Sequence, residues 1–198
     1  MRAFPTHHRS SGTRYVPRVE AAVLALLAGG VIAYPTEGVY GLGCLPSDAD
    51  AIHRLLRVKR RTWRKGLALV AGNIEQLERL VVLPRGPLGE EIASSWPGPV
   101  TWVLPAQPGI PRLLTGGRET LAVRVTDHGL AKALCLRAGS ALVSTSANRS
   151  RNAPLRTALR VRRALGSELD YVLAGPLGVL AGPTPIRDGA TGAYLRGA

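Results

Sequence analysis

The sequence is short of cysteine, of acid and of uninterrupted hydrophobic runs. Two cysteines occur in 198 residues, Cys44 and Cys135, far apart and without C-x-x-C spacing. A disulfide framework, a redox dithiol and a zinc ribbon are thereby excluded, and a reducing, cytoplasmic setting is expected. Thirteen Asp and Glu stand against 26 Lys and Arg, a formal charge of +13. Such a chain attracts phosphates, nucleotides or RNA rather than cationic partners. The apolar stretch 21–34 is opened by Glu20, broken by Gly29-Gly30 and too short to cross a bilayer, so it reads as a helix running into a strand, with no membrane role. No G-x-x-x-x-G-K-[ST], H-E-x-x-H or G-x-S-x-G is present, which removes the P-loop, the zinc-protease helix and the serine-nucleophile elbow. Gly41-Leu42-Gly43 lacks the third glycine of a dinucleotide fingerprint and reads as tight backbone packing beside a loop.

What is present is an ordinary globular composition, 45% hydrophobic and 20% charged, in a length that suits one domain. Residues 1–17 lack periodicity and read as a flexible basic extension, in which His7 and His8 are solvated and no metal site is expected. From there to residue 198 helices and strands alternate. Helices are predicted from Val19 to the Gly29-Gly30 stop, from Asp48 to Arg60, from Asn73 with Gln76 completing a capping box, from Pro87 to Trp96, from 128 to 137 behind an Asp127 cap, and from Thr157 to Leu165. Strands are predicted at 31–34, 67–71, 100–104, 121–125, 141–145, 171–174 and 192–196. The expectation is a single α/β domain, a twisted mixed sheet flanked by helices.

Three segments carry candidate chemistry. Between Arg54 and Lys65 stand Arg54, Arg57, Lys59, Arg60, Arg61, Arg64 and Lys65 with no acid among them. They form either a solvated helix end or, where the helix gives way to a loop, a convergent seat for a polyphosphate. Trp63 is the tryptophan placed to stack on a base. In Ser144-Thr145-Ser146-Ala147-Asn148, extended geometry puts Ser144, Ser146 and Asn148 on one face, unless the segment is a turn that satisfies its own backbone. Arg124, inside an apolar strand, needs an anion: a carboxylate ligand, or an internal bridge to Glu37, Glu119 or Asp127. Thr36 and Glu37 follow a buried strand, where α/β proteins often place ligands.

Taken together, YPTEGVYGLGC at 34–44, Lys59-Arg60-Arg61, Lys65-Gly66-Leu67, WPGPVTWVLPA at 96–106, LAVRVTDH at 121–128 and STSAN at 144–148 resemble the YrdC/TsaC family of threonylcarbamoyl-AMP synthases, from about Val19 to the C-terminus. The resemblance implies a sheet with a large basic cavity. The K-x-R and S-x-N signatures fall on Lys59, Arg61, Ser146 and Asn148, with Lys59 and Arg61 implied as catalytic. It further implies that Thr36, Arg124 and Thr184 hold L-threonine, and that Lys65 and Arg196 join those four around ATP. Arg151, where many relatives have Gly, and Thr62, where Pro is common, depart from the pattern and alter the loops there.

The reaction implied joins L-threonine and bicarbonate to an N-carboxylated threonine, whose carboxylate attacks the α-phosphate of ATP and expels pyrophosphate. Magnesium on the ATP phosphates is expected on chemical grounds. The adenylate would pass to threonylcarbamoyl-transferase proteins acting on tRNA. The alternative from the residues alone is a non-catalytic RNA-binding protein, suggested by the charge and by Arg149, Arg151, Arg156, Arg160, Arg162 and Arg163.

Overall fold

Pro17 sits in the first turn of α1 (Val16–Leu27), where a missing N–H costs nothing, and Val19, Ala22, Val23 and Leu26 turn one apolar stripe inward. Gly29, at φ +78, takes the left-handed turn that ends this helix. The computed structural model describes residues 15–197. His7, His8 and most of the extension expected over 1–17 lie outside the described residues, and α1 begins three residues before the predicted Val19.

A nine-stranded mixed sheet runs in the order β7-β1-β2-β6-β3-β5-β4-β8-β9. Its strands are β1 (Ile32–Pro35), β2 (Tyr40–Gly43), β3 (Ala68–Ala71), β4 (Thr101–Pro105), β5 (Thr120–Val125), β6 (Leu142–Ser146), β7 (Tyr171–Val172), β8 (Ile186–Asp188) and β9 (Tyr194–Arg196). The helices are α2 (Ala49–Lys59), α3 (Pro87–Ser94), α4 (Arg112–Thr115), α5 (Gly129–Arg137) and α6 (Ala158–Leu165).

Strand alternation divides the core between the two faces. Ile32, Tyr34, Val70 and Leu142 pack against α1 and α5. Val31, Ala33, Leu69 and Val123 pack with α2, α3 and α6 on the other side. The register sets Val70 opposite both Arg124 and Leu142, and Ala68 opposite both Ala122 and Ser144. The face that α1 and α5 cover at Ile32, Tyr34 and Leu142 therefore continues into Ala68, Ala122 and Ser144. These small residues leave room above the sheet.

Several details differ from the sequence reading, the unpredicted short helix α4 among them. Gly41-Leu42-Gly43 packs tightly as expected, a Cβ on Gly43 falling 2.6 Å from Val143 O, but it does so as the body of strand β2, paired with β1 and β6, where no strand was predicted. Only half of the Asn73 box forms, and without its helix: Asn73 Oδ1 accepts from Gln76 N, but Gln76 Oε1 accepts from Gly72 N instead of Asn73 N, Gln76 Nε2 donates to Cys135 O and the chain continues in turns. His128, not Asp127, caps α5, its Nδ1 accepting from Ala131 N at 3.4 Å. Strand β8 was not foreseen.

Candidate functional site

Where the helices leave the sheet uncovered lies a cavity of about 430 Å³, within the range of small-molecule sites. Thr36, Arg61, Lys65, Arg124, Ser146, Thr184 and Arg196 all line it. Residues drawn from the β1–β2 turn, the end of α2, β5, β6 and β9 thus meet around one cavity. Among the described lining residues there is no Asp or Glu.

Three of the lining cations feel one another's charge. Arg61 Nη2 donates to Gly66 O at 3.1 Å, while its Nε is buried without a partner. Burial and the nearby charge of Arg196 hold the Arg61 guanidinium below its usual basicity. Arg196, anchored by a 2.8 Å bond from Nη2 to Thr184 O, is lowered by burial and by Arg124. Arg118, seated beside Gly66 and Gly116, extends the cationic wall.

Arg124 is 4% exposed and is met by an internal acid: Nη2 lies 3.0 Å from Glu37 Oε2, an ionic contact without hydrogen-bond alignment. Of the three acids considered from sequence, Glu37 is therefore the partner. Arg124 still faces the cavity, and its Nε is unpartnered. Thr36 Oγ1 donates to Val39 O at 2.8 Å and shapes the β1–β2 turn. Thr184 Oγ1 lies 3.3 Å from Thr101 Oγ1.

Lys59 and Asn148 stand behind the wall rather than on it. The Lys59 ammonium, 2% exposed, donates to Ser146 O, to Asn148 O at 3.1 Å and to Asn148 Oδ1 at 2.8 Å. Ser146 Oγ donates to the same Oδ1 at 2.7 Å. The two sequence alternatives for this segment both occur, since Ser144 and Ser146 reach the cavity while Asn148 turns back to satisfy the loop. Burial, with Arg61 next in importance, pulls the Lys59 ammonium down to about 8.

The rest of the basic run disperses. Arg54 pairs with Asp170 at 2.8 Å, Arg64 lies over Trp63 at 5.1 Å, and Arg57 and Arg60 line a shallow depression outside the cavity. On the second basic segment Arg149 bridges Glu168, and Arg156 and Arg162 donate to backbone carbonyls. These contacts reduce the free charge that an RNA-binding reading relies on.

Sequence reasoning passed over Thr101, Thr115, Arg118 and Thr120, all on the cavity wall. Thr120 carried a readable signal, since 120, 122 and 124 share one face of a strand. Nucleophilic sulfur has no part here: Cys44 and Cys135 are buried, and burial pushes both thiols up to about 12.

The Sua5/YciO/YrdC family model, described as Telomere recombination, matches residues 24–196. Threonylcarbamoyl-AMP synthase of Halorhodospira halophila is 54% identical over 179 residues, covering 90% of this chain and 94% of the relative. The enzyme of that name from Nitrosococcus oceani is 51% identical, with 90% and 97% covered. Among solved structures, P. abyssi Sua5 complexed with L-threonine matches at TM-score 0.79 and 30% identity over 86% of this chain. This chain spans 50% of that longer protein. E. coli YciO matches at TM-score 0.75 and 26% identity, with 87% and 84% covered.

Proposed function

The chain belongs to the Sua5/YciO/YrdC family, and from that footing we propose that its cavity makes threonylcarbamoyl-AMP from L-threonine, bicarbonate and ATP. The observation that carries the reading is the gathering of Arg124, Arg196 and Arg61 around one cavity, one of them met by Glu37 and the other two, among the described residues, without an acidic partner.

Arg124, Thr36 and Thr184 hold the amino acid, a role supported by the L-threonine named in the P. abyssi relative. Arg61, Lys65, Arg196 and Ser146 take the triphosphate. Lys59 acts at the nucleotide end by its charge and by fixing the loop from Ser146 to Asn148, the residue through which Asn148 contributes. The threonine ammonium sheds a proton, its nitrogen bonds to the bicarbonate carbon, and the bicarbonate hydroxyl leaves with a second nitrogen proton as water, giving the carbamate. A carbamate oxygen then bonds to the α-phosphorus while the bond to the β-phosphate oxygen breaks, and pyrophosphate leaves with that electron pair. No side-chain nucleophile is required. The work is positioning and neutralisation of phosphoryl charge, where one well-placed donor contributes about 3 kcal/mol.

Magnesium arrives as part of the ATP substrate, because the wall has no carboxylate to hold a cation of its own. Among the described residues no helix is long and apolar enough to cross a membrane. A cytoplasmic enzyme that hands its adenylate to threonylcarbamoyl-transferase proteins for tRNA modification completes the reading. The test is pyrophosphate release that requires all three substrates together, with the mixed anhydride recovered from the same reaction.

A further inference from the structure

A buried guanidinium meant for a carboxylate ligand already has a carboxylate beside it. Arg124 is met by Glu37 at 3.0 Å, and the other carboxylate oxygen and the backbone of Glu37 are held in turn. Its Oε1 accepts from Thr126 Oγ1 at 2.5 Å, and that hydroxyl accepts from His128 N at 3.1 Å. Its main-chain oxygen accepts from Leu180 N at 3.0 Å. A Cβ on Gly178 would lie 2.9 Å from Glu37 Cα, so the segment 176–184 is pressed against it. The Oε1 bond and the pinned backbone restrict Glu37 beside Arg124, while its Oε2 has no hydrogen-bond donor of its own.

The cavity's cations therefore differ in their partners. The Arg124 charge is met by a buried carboxylate. Arg61, Lys65, Arg118 and Arg196 line the same cavity, and among the described residues none of these four has an acidic partner within 4.0 Å. An amino acid is a zwitterion and needs donors for one carboxylate but no net attraction. A polyphosphate needs net positive charge.

We propose that Glu37 is a positioning and specificity residue: it orients Arg124 toward the substrate carboxylate and, by cancelling its charge, keeps polyphosphate out of the amino-acid subsite. This rests on the assignment of Arg124 to the amino acid and of Arg61, Lys65 and Arg196 to the nucleotide. Without the Glu37 charge, Arg124 joins Arg196 and Arg61 in one continuous cationic track along which a polyphosphate can slide.

The test compares wild type with Glu37→Gln, using inorganic tripolyphosphate as the probe and pyrophosphate release as the readout. In wild type, tripolyphosphate competes with ATP alone. In Glu37→Gln it competes with L-threonine as well, the KM for L-threonine rises about tenfold or more, and the KM for ATP stays within about twofold. An unchanged inhibition pattern, or a parallel rise of both KM values, overturns the proposal. A purely structural defect does not create a new competition. Should Glu37→Gln fail to fold, Glu37→Gln/Arg124→Gln removes the stranded charge: it is expected to fold, to bind ATP by calorimetry, and to bind no tripolyphosphate once ATP is saturating. Tripolyphosphate still binding that double variant beside saturating ATP overturns the proposal too. A wild type that binds neither substrate undermines the underlying site assignment instead, and a turnover-competent wild type with an indifferent Glu37→Gln undermines this inference alone.

Discussion

Lys59 Nζ lies 2.8 Å from Asn148 Oδ1, joining the last residue of α2 to the loop after β6. A buried ammonium with three loop oxygens around it is worth something to the loop only while it is charged. Its folded value of about 8 lies below the ordinary 10.5. Between these two values the unfolded chain holds more protons than the folded one, so folding stability rises with pH across that window. Nucleotide binding moves the opposite way, because the Lys59 bonds to Ser146 and Asn148 weaken as the proton leaves. Relative to Lys59→Met, wild type should gain stability from about pH 8 upward while its KM for ATP climbs. Melting curves and initial rates on both proteins over pH 7–10 check it; a pH-independent difference contradicts it.

Gly38 closes against the loop before β8. A Cβ there would stand 1.8 Å from Gly182 O, so Gly38→Ala must push the 176–184 segment outward. The expected cost is about 1–3 kcal/mol in denaturant unfolding. Since Thr36 and Thr184 flank this contact, the KM for L-threonine should rise more than the KM for ATP.

Arg124→Leu leaves the Glu37 carboxylate buried and unpaired. Loss of one partner of such a pair costs about 3–5 kcal/mol, measurable as a lower urea midpoint. Threonine-dependent turnover should vanish while ATP binding, measured by calorimetry, survives.

The parts of this molecule that are local in their physics were legible from residue order. Asp48 accepts from Ala51 N and opens α2, Thr157 accepts from Arg160 N and opens α6, and the apolar runs of β3 and β5 lie within a residue or two of their predicted bounds. What failed depended on distant partners. Strand β2 holds two glycines and has little strand propensity of its own; it is a strand because β1 and β6 lie on either side. The Asn73 turn lost its helix when Gln76 found Cys135 O. For the site, residue types announced the chemistry, and Thr36, Arg61, Arg124 and Ser146 meet around one cavity. Spacing did not reveal that Glu37, and neither Glu119 nor Asp127, would neutralise Arg124. Nor did it reveal that Lys59 would turn toward a loop instead of the cavity, since both depend on which strands become neighbours.

Both thiols should be silent in the native protein. Cys44 and Cys135 are 0% exposed and burial keeps them protonated near neutrality, with Cys135 Sγ donating to Val70 O at 3.2 Å. Iodoacetamide at pH 8 should label neither residue until denaturant is added, as peptide mass analysis would report. Rapid native labelling would show the core around Val70 to be open.

The most direct measurement is pyrophosphate release by wild type and Arg61→Ala, with L-threonine, bicarbonate and ATP supplied together and each omitted in turn. The account predicts release only with all three, accompanied by threonylcarbamoyl-AMP, and a loss of about a hundredfold or more in kcat/KM for ATP in Arg61→Ala. Release that is independent of threonine, or an Arg61→Ala variant as active as wild type, would contradict it.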